Sequence, residues 1–354
     1  MVPTPSNPKL VGIQYFVNPD HDIWVETVHL IYENEKWFLS EDDYDTWIAA
    51  FGPDNFNLIV ALDTDDYDTW IAAFGPDNFN LIVALDTGKN EVVGCISIAR
   101  FEPEKPGADP IITVGMYFVK PSHRKIGLGK ELWRRAFEDE RFQRDNTGLI
   151  SVEEMMEKYS KIHGFNQISE TKIVACRGIV SDIHTRNLTA SSLLRVIHFP
   201  HACAEYGLDA IAAFDASING GLRRDHFLKA WLEAPNSLAS HVAINHHQEI
   251  VGFISLRKSL SNDLSVAPLY AKTPDVASTL LRSAFECVDD LYQYRYIFFH
   301  PLTANSTARK LFVKLTVGTV IPITTLTPQF TSSIPNIQSE NIFSVTDIGT
   351  CAFF

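Results

Sequence analysis

Between Arg124 and Lys130 the chain reads Arg-Lys-Ile-Gly-Leu-Gly-Lys, three cations around two glycines. At the start of a helix such a turn suits an anion. The first N–H groups of a helix have no intrahelical acceptor, and the helix dipole adds partial positive charge there. Gly127 and Gly129 let the backbone approach a phosphate, with the main chain of Ile126 and Leu128 beside them. Arg124, Lys125 and Lys130 supply charge.

Two elements must hold that turn. The apolar, β-branched run Ile111 to Val119 reads as a buried strand that Lys120-Pro121 stops. Leu128, Leu132, Trp133, Ala136 and Phe137 form an apolar stripe at helical spacing, so the following helix packs on a sheet. On its own a Gly-x-Gly pair is more often the mark of an ordinary tight turn. A dinucleotide-binding turn fits less well, because it needs Gly-x-Gly-x-x-Gly directly after its strand and an acidic residue about 20 residues on. No Gly-Lys-Ser/Thr follows, which excludes a Walker A loop.

The order strand, Pro, Arg-x-x-Gly-x-Gly, amphipathic helix resembles the acetyl-CoA-binding segment of the GNAT acyltransferase superfamily, where this turn grips the pyrophosphate of coenzyme A. Tyr159-Ser-Lys-Ile-His-Gly164-Phe165 resembles the end of that family's second motif. The resemblance implies an α/β fold with a mixed sheet, an N-acyltransferase activity, and acetyl-CoA or another short acyl-CoA as co-substrate. It implies that main-chain groups of Tyr117, Phe118 and Val119 bind the pantetheine and thioester carbonyl. It points to Tyr159 as proton donor to the departing thiolate. Tyr159 stands five residues before Gly164, whereas the commoner family spacing is four, a register that here holds Ser160. No general base is evident: the central strand has no Asp or Glu, and Glu102 and Asp109 lie just upstream.

With 354 residues the chain is long enough for two domains. Helix and strand patterns over residues 1–177 follow the GNAT order, with a hairpin turn at 87–90 joining two strands. Residues 178–210 read as a connection with its own helix around Ser191 to Tyr206. Over 178–330 the same order returns, so the expected architecture is two GNAT-like domains in tandem, each a mixed sheet flanked by helices. Phe214-Asp-Ala-Ser-Ile-Asn-Gly-Gly-Leu-Arg-Arg-Asp-His-Phe-Leu-Lys-Ala-Trp-Leu232, followed by Val266-Ala-Pro-Leu-Tyr-Ala271, resembles the C-terminal domain of tandem acetyltransferases of the YitH/HolE kind. In that second domain Ala271-Lys-Thr-Pro-Asp275 replaces the glycine turn; Pro274 lacks an N–H and Asp275 repels phosphate, so no cofactor is expected there. In the enzymes it resembles, such a domain helps form the acceptor side of the cleft, which makes Asp215, Arg223 and Arg224 the candidates here. Residues 331–354, rich in Ser, Thr and Asn, read as a flexible tail.

Residues 42–64 recur without a change as 65–87. Repeat architectures diverge between units, so an identical pair reads as a recent duplication or an artefact rather than a solenoid. Each copy adds five acidic and no basic residues to a net charge of −13. That charge argues against nucleic acid or anionic membranes as partners; the resemblance to the GNAT acyltransferases implies an amine acceptor, small molecule or peptide. Five scattered cysteines read as reduced thiols of a cytosolic or nuclear protein, and the N-terminus lacks the apolar run of a signal peptide. No metal is expected: His198-x-x-His201-x-Cys203 lacks a fourth ligand at zinc-site spacing, and Asp42, Asp43 and Asp45 suit a helix start. No Gly-x-Ser-x-Gly nucleophile context supports a hydrolase. The rival to the enzyme is a catalytically silent acyl-CoA-binding sensor or scaffold; a third reading is a purely structural interaction protein.

Overall fold

The strand expected to carry the turn is β4 (Ile111–Val119), and the helix after it is α2 (Leu128–Ala136). A computed structural model describes residues 8–10, 12–17, 19–43, 46, 79–86, 88–89, 91–105 and 108–349. Before β4 come β1 (Ile13–Val17), α1 (His21–Glu35), β2 (Phe79–Asp86) and β3 (Glu91–Phe101). Asp20 caps α1 by accepting the Ile23 N–H at 3.0 Å, and Lys36 in a left-handed conformation ends it. Asp86 accepts the Gly88 N–H at 2.9 Å in the tight turn between β2 and β3. After α2 follow β5 (Asn146–Ser151), α3 (Glu153–His163), the short β6 (Gln167–Ile168) and β7 (Ile173–Ile179).

Of the duplicated segment, the described residues are Asp42, Asp43 and Thr46 of the first copy and the strand that ends the second. That strand pairs with β3, Phe79 opposite Ala99 through Asp86 opposite Glu91. The surplus helix and strand expected from 42–64 lie outside the described residues. Asp43 is an anchor between the halves: its carboxylate accepts from Arg257 at 2.7 Å and from Asn236 at 3.0 Å. Deleting 65–87 keeps Asp43 and, because Thr64 would then precede Gly88, also restores the strand–turn junction. The deletion variant is expected to match the parent in unfolding midpoint and acetyl-CoA affinity; a loss of either would make the second copy an integral part of the fold.

The second half contributes β8 (Arg195–His198), α4 (Phe199–Tyr206), α5 (Leu208–Ile218), α6 (Asp225–Leu232), β9 (Ser237–Ile244), β10 (Ile250–Lys258) and β11 (Leu264–Ala271). Then come α7 (Pro274–Glu286), β12 (Tyr296–Phe299), α8 (Ser306–Leu315), β13 (Ile321–Phe330) and β14 (Ile342–Ser344). The helix expected around 191–206 is shorter. Pro200 sits in its first turn, where its missing N–H does no harm, and Val196-Ile197 upstream pair with β9 instead.

One sheet runs through both halves in the order β1-β2-β3-β4-β5-β13-β7-β12-β11-β10-β9-β8. A boundary between 177 and 178 therefore cuts β7, whose Cys176 to Ile179 pair with β12. The join is β13: Ile321 to Leu326 pair with β7, and Thr327 to Phe330 pair with β5. The expected flexible tail is packed over 331–349. Ile342, Phe343 and Val345 are buried, and β14 pairs with β11. Its Ser and Thr residues suggested a solvated tail because pairing cannot be read from composition; Ser344 and Thr346 are buried and hydrogen-bonded.

Candidate active site

The turn has the geometry its residues imply. Lys120 closes β4 by donating its N–H to Val93 O at 2.8 Å, and Pro121–His123 form one turn of 3-10 helix. Lys125 (φ 65°) and Gly127 (φ 95°) then take left-handed conformations, and Gly127 caps α2. The first intrahelical bond of α2 runs from the Glu131 N–H to Gly127 O at 3.1 Å. The N–H groups of Leu128, Gly129 and Lys130 thus precede the first i→i−4 donor. Leu128, Leu132 and Ala136 bury the helix against the sheet, while the Lys125 and Lys130 side chains stay exposed.

Arg124 is engaged on the protein side of the turn. Its Nε donates to Val119 O at 2.8 Å and its Nη2 to Glu35 at 2.9 Å, so it ties the turn to β4 and α1. Gly129 is constrained from below as well as by any ligand above: a Cβ there would lie 2.6 Å from the Tyr117 hydroxyl.

β4 and β5 pair in parallel only from Ile111 opposite Asn146 to Val114 opposite Leu149, and then part. The cause is a bulge. Between Cys95 opposite Phe118 and Ser97 opposite Gly115, β4 advances three residues while β3 advances two. Met116, at φ 44°, is the residue turned out of the ladder, and its N–H donates to Gly349 O at 2.8 Å. Since the Lys120 N–H faces β3, the alternation of an antiparallel ladder turns the main chain of Phe118 toward β3 and that of Tyr117 and Val119 toward the opening. Met116 was not legible in the sequence, because a bulge in a continuous apolar run leaves no compositional mark.

Above the opening stands an aromatic cluster. Tyr117 packs edge-on to Trp133 at 5.5 Å between ring centroids, and Tyr159 lies 6.5 Å from Tyr117 and 6.3 Å from Trp133. Burial, and secondarily the neighbouring Tyr117, raises the Tyr159 pKa; burial pushes Tyr117 up to about 12. Both phenols keep their protons at neutral pH. His163 stacks on Trp133 at 3.8 Å, and burial with nearby Lys158 pushes its pKa down to about 4. Ser160, in the alternative register, is engaged: its hydroxyl donates to Phe165 O at 2.8 Å and accepts from Gln329 at 3.2 Å.

Glu102 is paired with Arg100, and Asp109 precedes β4. The bulge at Met116 lies five residues along β4 from Ile111, about 16 Å at the rise of a strand, so neither carboxylate is next to it.

Two of the three acceptor-side candidates are buried against each other, and the third, Arg223, has an exposed side chain. Asp215 and Arg224 are buried and bond each other at 2.6 and 2.8 Å, and Asn219 donates to Asp215 at 2.9 Å. Arg223 pairs with Asp225 at 2.9 Å, and its N–H donates to Glu102 O at 2.8 Å. These groups lock the segment before α6 onto the end of β3. Their pairing explains why charges on a short polar stretch mimicked a binding site. The His198 ring meets that of His201 edge-on at 6.2 Å, but the ligand atoms that come together are those of His198, His241 opposite it across β8 and β9, and Cys287, and two of those three residues are exposed.

The second half repeats the frame of the first. Lys272 donates its N–H to Val251 O at 2.9 Å as Lys120 does to Val93, and Gly252 faces Ala271 as Gly94 faces Val119. Counted back from the two lysines, Met116 corresponds to Pro268, which has no N–H to offer. At the start of α7 the Thr273 hydroxyl accepts the Val276 N–H at 3.3 Å, and Pro274 follows without a donor.

Comparisons with known proteins agree with this two-part frame. A model of the acetyltransferase (GNAT) family matches residues 26–157, and a model of an acetyltransferase (GNAT) domain matches residues 211–322; together they span more than half of the chain. An uncharacterized protein of Caenorhabditis elegans is 25% identical over 275 residues, 75% of this chain and 81% of the relative. Among solved structures, a Pyrococcus horikoshii protein described as an acetyltransferase superposes with a TM-score of 0.62 at 15% identity, covering 99% of this chain and 100% of its own. A tandem GNAT protein from the clavulanic acid biosynthesis pathway gives 0.55 at 13% identity, covering 90% and 98%. At such identities the likeness is one of fold. No helix among the described residues is long and apolar enough to cross a membrane. With a glycine turn at the head of α2, a parted pair of strands beside it and the same frame repeated from β9 onward, the chain belongs to the GNAT acetyltransferases and carries two GNAT domains in tandem.

Proposed function

We propose that the first domain transfers an acetyl or other short acyl group from acyl-CoA to an amine by direct attack, in the cytosol or nucleus. The observation that carries this reading is the juxtaposition of the α2 start with an out-of-ladder N–H at Met116, on the strand that leaves β5. The donors of Leu128, Gly129 and Lys130, with the Lys125 and Lys130 ammonium groups, suit a pyrophosphate. Tyr117 and Val119 offer main-chain groups to the pantetheine. In this reading the Met116 N–H stabilises the charge that builds on the thioester oxygen. As the amine nitrogen bonds the acyl carbon and the C–S bond breaks, the Tyr159 hydroxyl gives its proton to the thiolate and recovers one from solvent. The amine proton leaves to water, since neither Glu102 nor Asp109 stands at the bulge.

The test pairs calorimetry of acetyl-CoA binding with thiol release across a panel of amines. Binding with turnover supports the enzyme. Binding without turnover on any amine would favour the acyl-CoA sensor, and absence of binding would overturn both.

A further inference from the structure

The opening between diverging strands occurs twice in this chain, and in the second domain a segment of the chain itself fills it. β11 and β12 pair in parallel only at Leu264 with Ile297 and Ser265 with Phe298. Past that point β14 takes the place of a partner, with Leu269 opposite Ser344 and Tyr270 opposite Ile342. Both lips of the opening hold it. On the β11 side the Ser344 hydroxyl donates to Val266 O at 2.6 Å, and the Thr346 and Tyr270 hydroxyls meet at 2.6 Å. On the β12 side the His300 N–H donates to the Ser344 hydroxyl at 2.9 Å, and Val345 returns its N–H to His300 O at 3.1 Å. Asn305 donates to the carbonyls of Glu340 and Ile342 at 2.9 and 3.0 Å.

From there the chain crosses to the first domain. Asp347 accepts the Gly349 N–H at 3.0 Å, and Gly349 O accepts the Met116 N–H at 2.8 Å, near Trp37 and Leu39 of the segment after α1.

We infer that the second GNAT domain is a clamp for the C-terminal segment of its own chain, and that through Gly349 this segment competes with the acyl carbonyl for the Met116 N–H. The inference rests on the acyl-transfer reading above. A single N–H serves one acceptor well, so a thioester oxygen and Gly349 O cannot both be bound there. Residues 340–346 are fixed by the clamp, and only 347–349 need to move for the donor to come free. The second domain then has a role that needs no cofactor: it grips a strand by main-chain pairing, the mode by which extended peptides add to a sheet edge.

The experiment compares the full chain with a chain ending at Thr346, which keeps β14. Two quantities are read: the Kd for acetyl-CoA by calorimetry, and hydrogen exchange at the Met116 amide without ligand. Exchange is expected to accelerate in the shortened chain and the Kd to fall about fivefold, the scale of one hydrogen bond released. Faster exchange with an unchanged Kd overturns the competition and leaves the acyl-transfer reading standing. Unchanged exchange overturns the contact itself. No acetyl-CoA binding by either chain removes the acyl-transfer reading and the inference with it. Should the shortened chain fail to fold, Asp347→Ala, which loosens the Gly349 turn, is expected to move both quantities in the same direction by a smaller factor.

Discussion

Replacing Tyr159 by phenylalanine is expected to lower kcat about 10²-fold, with little change in KM for acetyl-CoA and no loss of stability. The separation follows from the surroundings of the ring. Tyr159 packs among Leu128, Leu132 and Phe165, which phenylalanine would fill equally, and among the described residues no hydrogen bond to its hydroxyl is seen. A structural tyrosine would therefore show no effect in either measurement, while a proton donor shows it in kcat alone. The pH dependence carries a sign. A proton donor works in its acid form, and burial raises the Tyr159 pKa above the ordinary value of about 10, so as donor Tyr159 would give no falling limb between pH 6 and 9. A limb rising through that range would belong to the acceptor amine losing its proton. Unchanged kcat in the variant would return Tyr159 to the core and leave water as the proton source.

Reversing both exposed cations at the turn, Lys125→Glu with Lys130→Glu, is expected to weaken acetyl-CoA binding roughly 10²-fold or more. Charged hydrogen bonds contribute about 1.5–3 kcal/mol each, and reversal adds repulsion to their loss. Both side chains are exposed, so the fold should be indifferent, and raising the salt concentration should narrow the gap between variant and parent. Gly129→Glu is the blunter test. Its Cβ would press on the Tyr117 hydroxyl, so lost binding there mixes displacement of the aromatic cluster with charge, and Gly129→Ala measures the steric share alone. Equal affinity in the double lysine variant would mean that the turn binds no pyrophosphate.

The parts of this molecule that were legible in its sequence are those whose signal is local. Ile111 to Phe137 announces strand, stop, turn and helix in consecutive residues, and the hairpin of β2 and β3 lies around its own turn. What was hidden depends on partners far along the chain. The Met116 bulge is defined by the register against Cys95 and Ser97, and its acceptor is 233 residues away in Gly349. Arg124 reads as a cation for phosphate in the sequence; that Val119 O and Glu35 also hold it depends on residues up to 89 positions away. For Asp215 and Arg224 the ambiguity is of another kind, since two opposite charges nine residues apart can face a ligand or each other, and here they are buried face to face.

The position of β13 bears on how this chain comes to be folded at all. As synthesis proceeds from the N-terminus, β5 is made long before residues 327–330 exist to pair with it. Until then the first domain has an open edge where its sheet should continue, and bare edges invite pairing with other chains. β7 waits for the same strand on one side and for β12 on the other. Neither domain can therefore complete itself alone, and the two should melt as one cooperative unit despite their separate origins in sequence. A single urea transition, the same by fluorescence and by circular dichroism, is the expected sign; two resolved steps would show that the shared strand does not couple them.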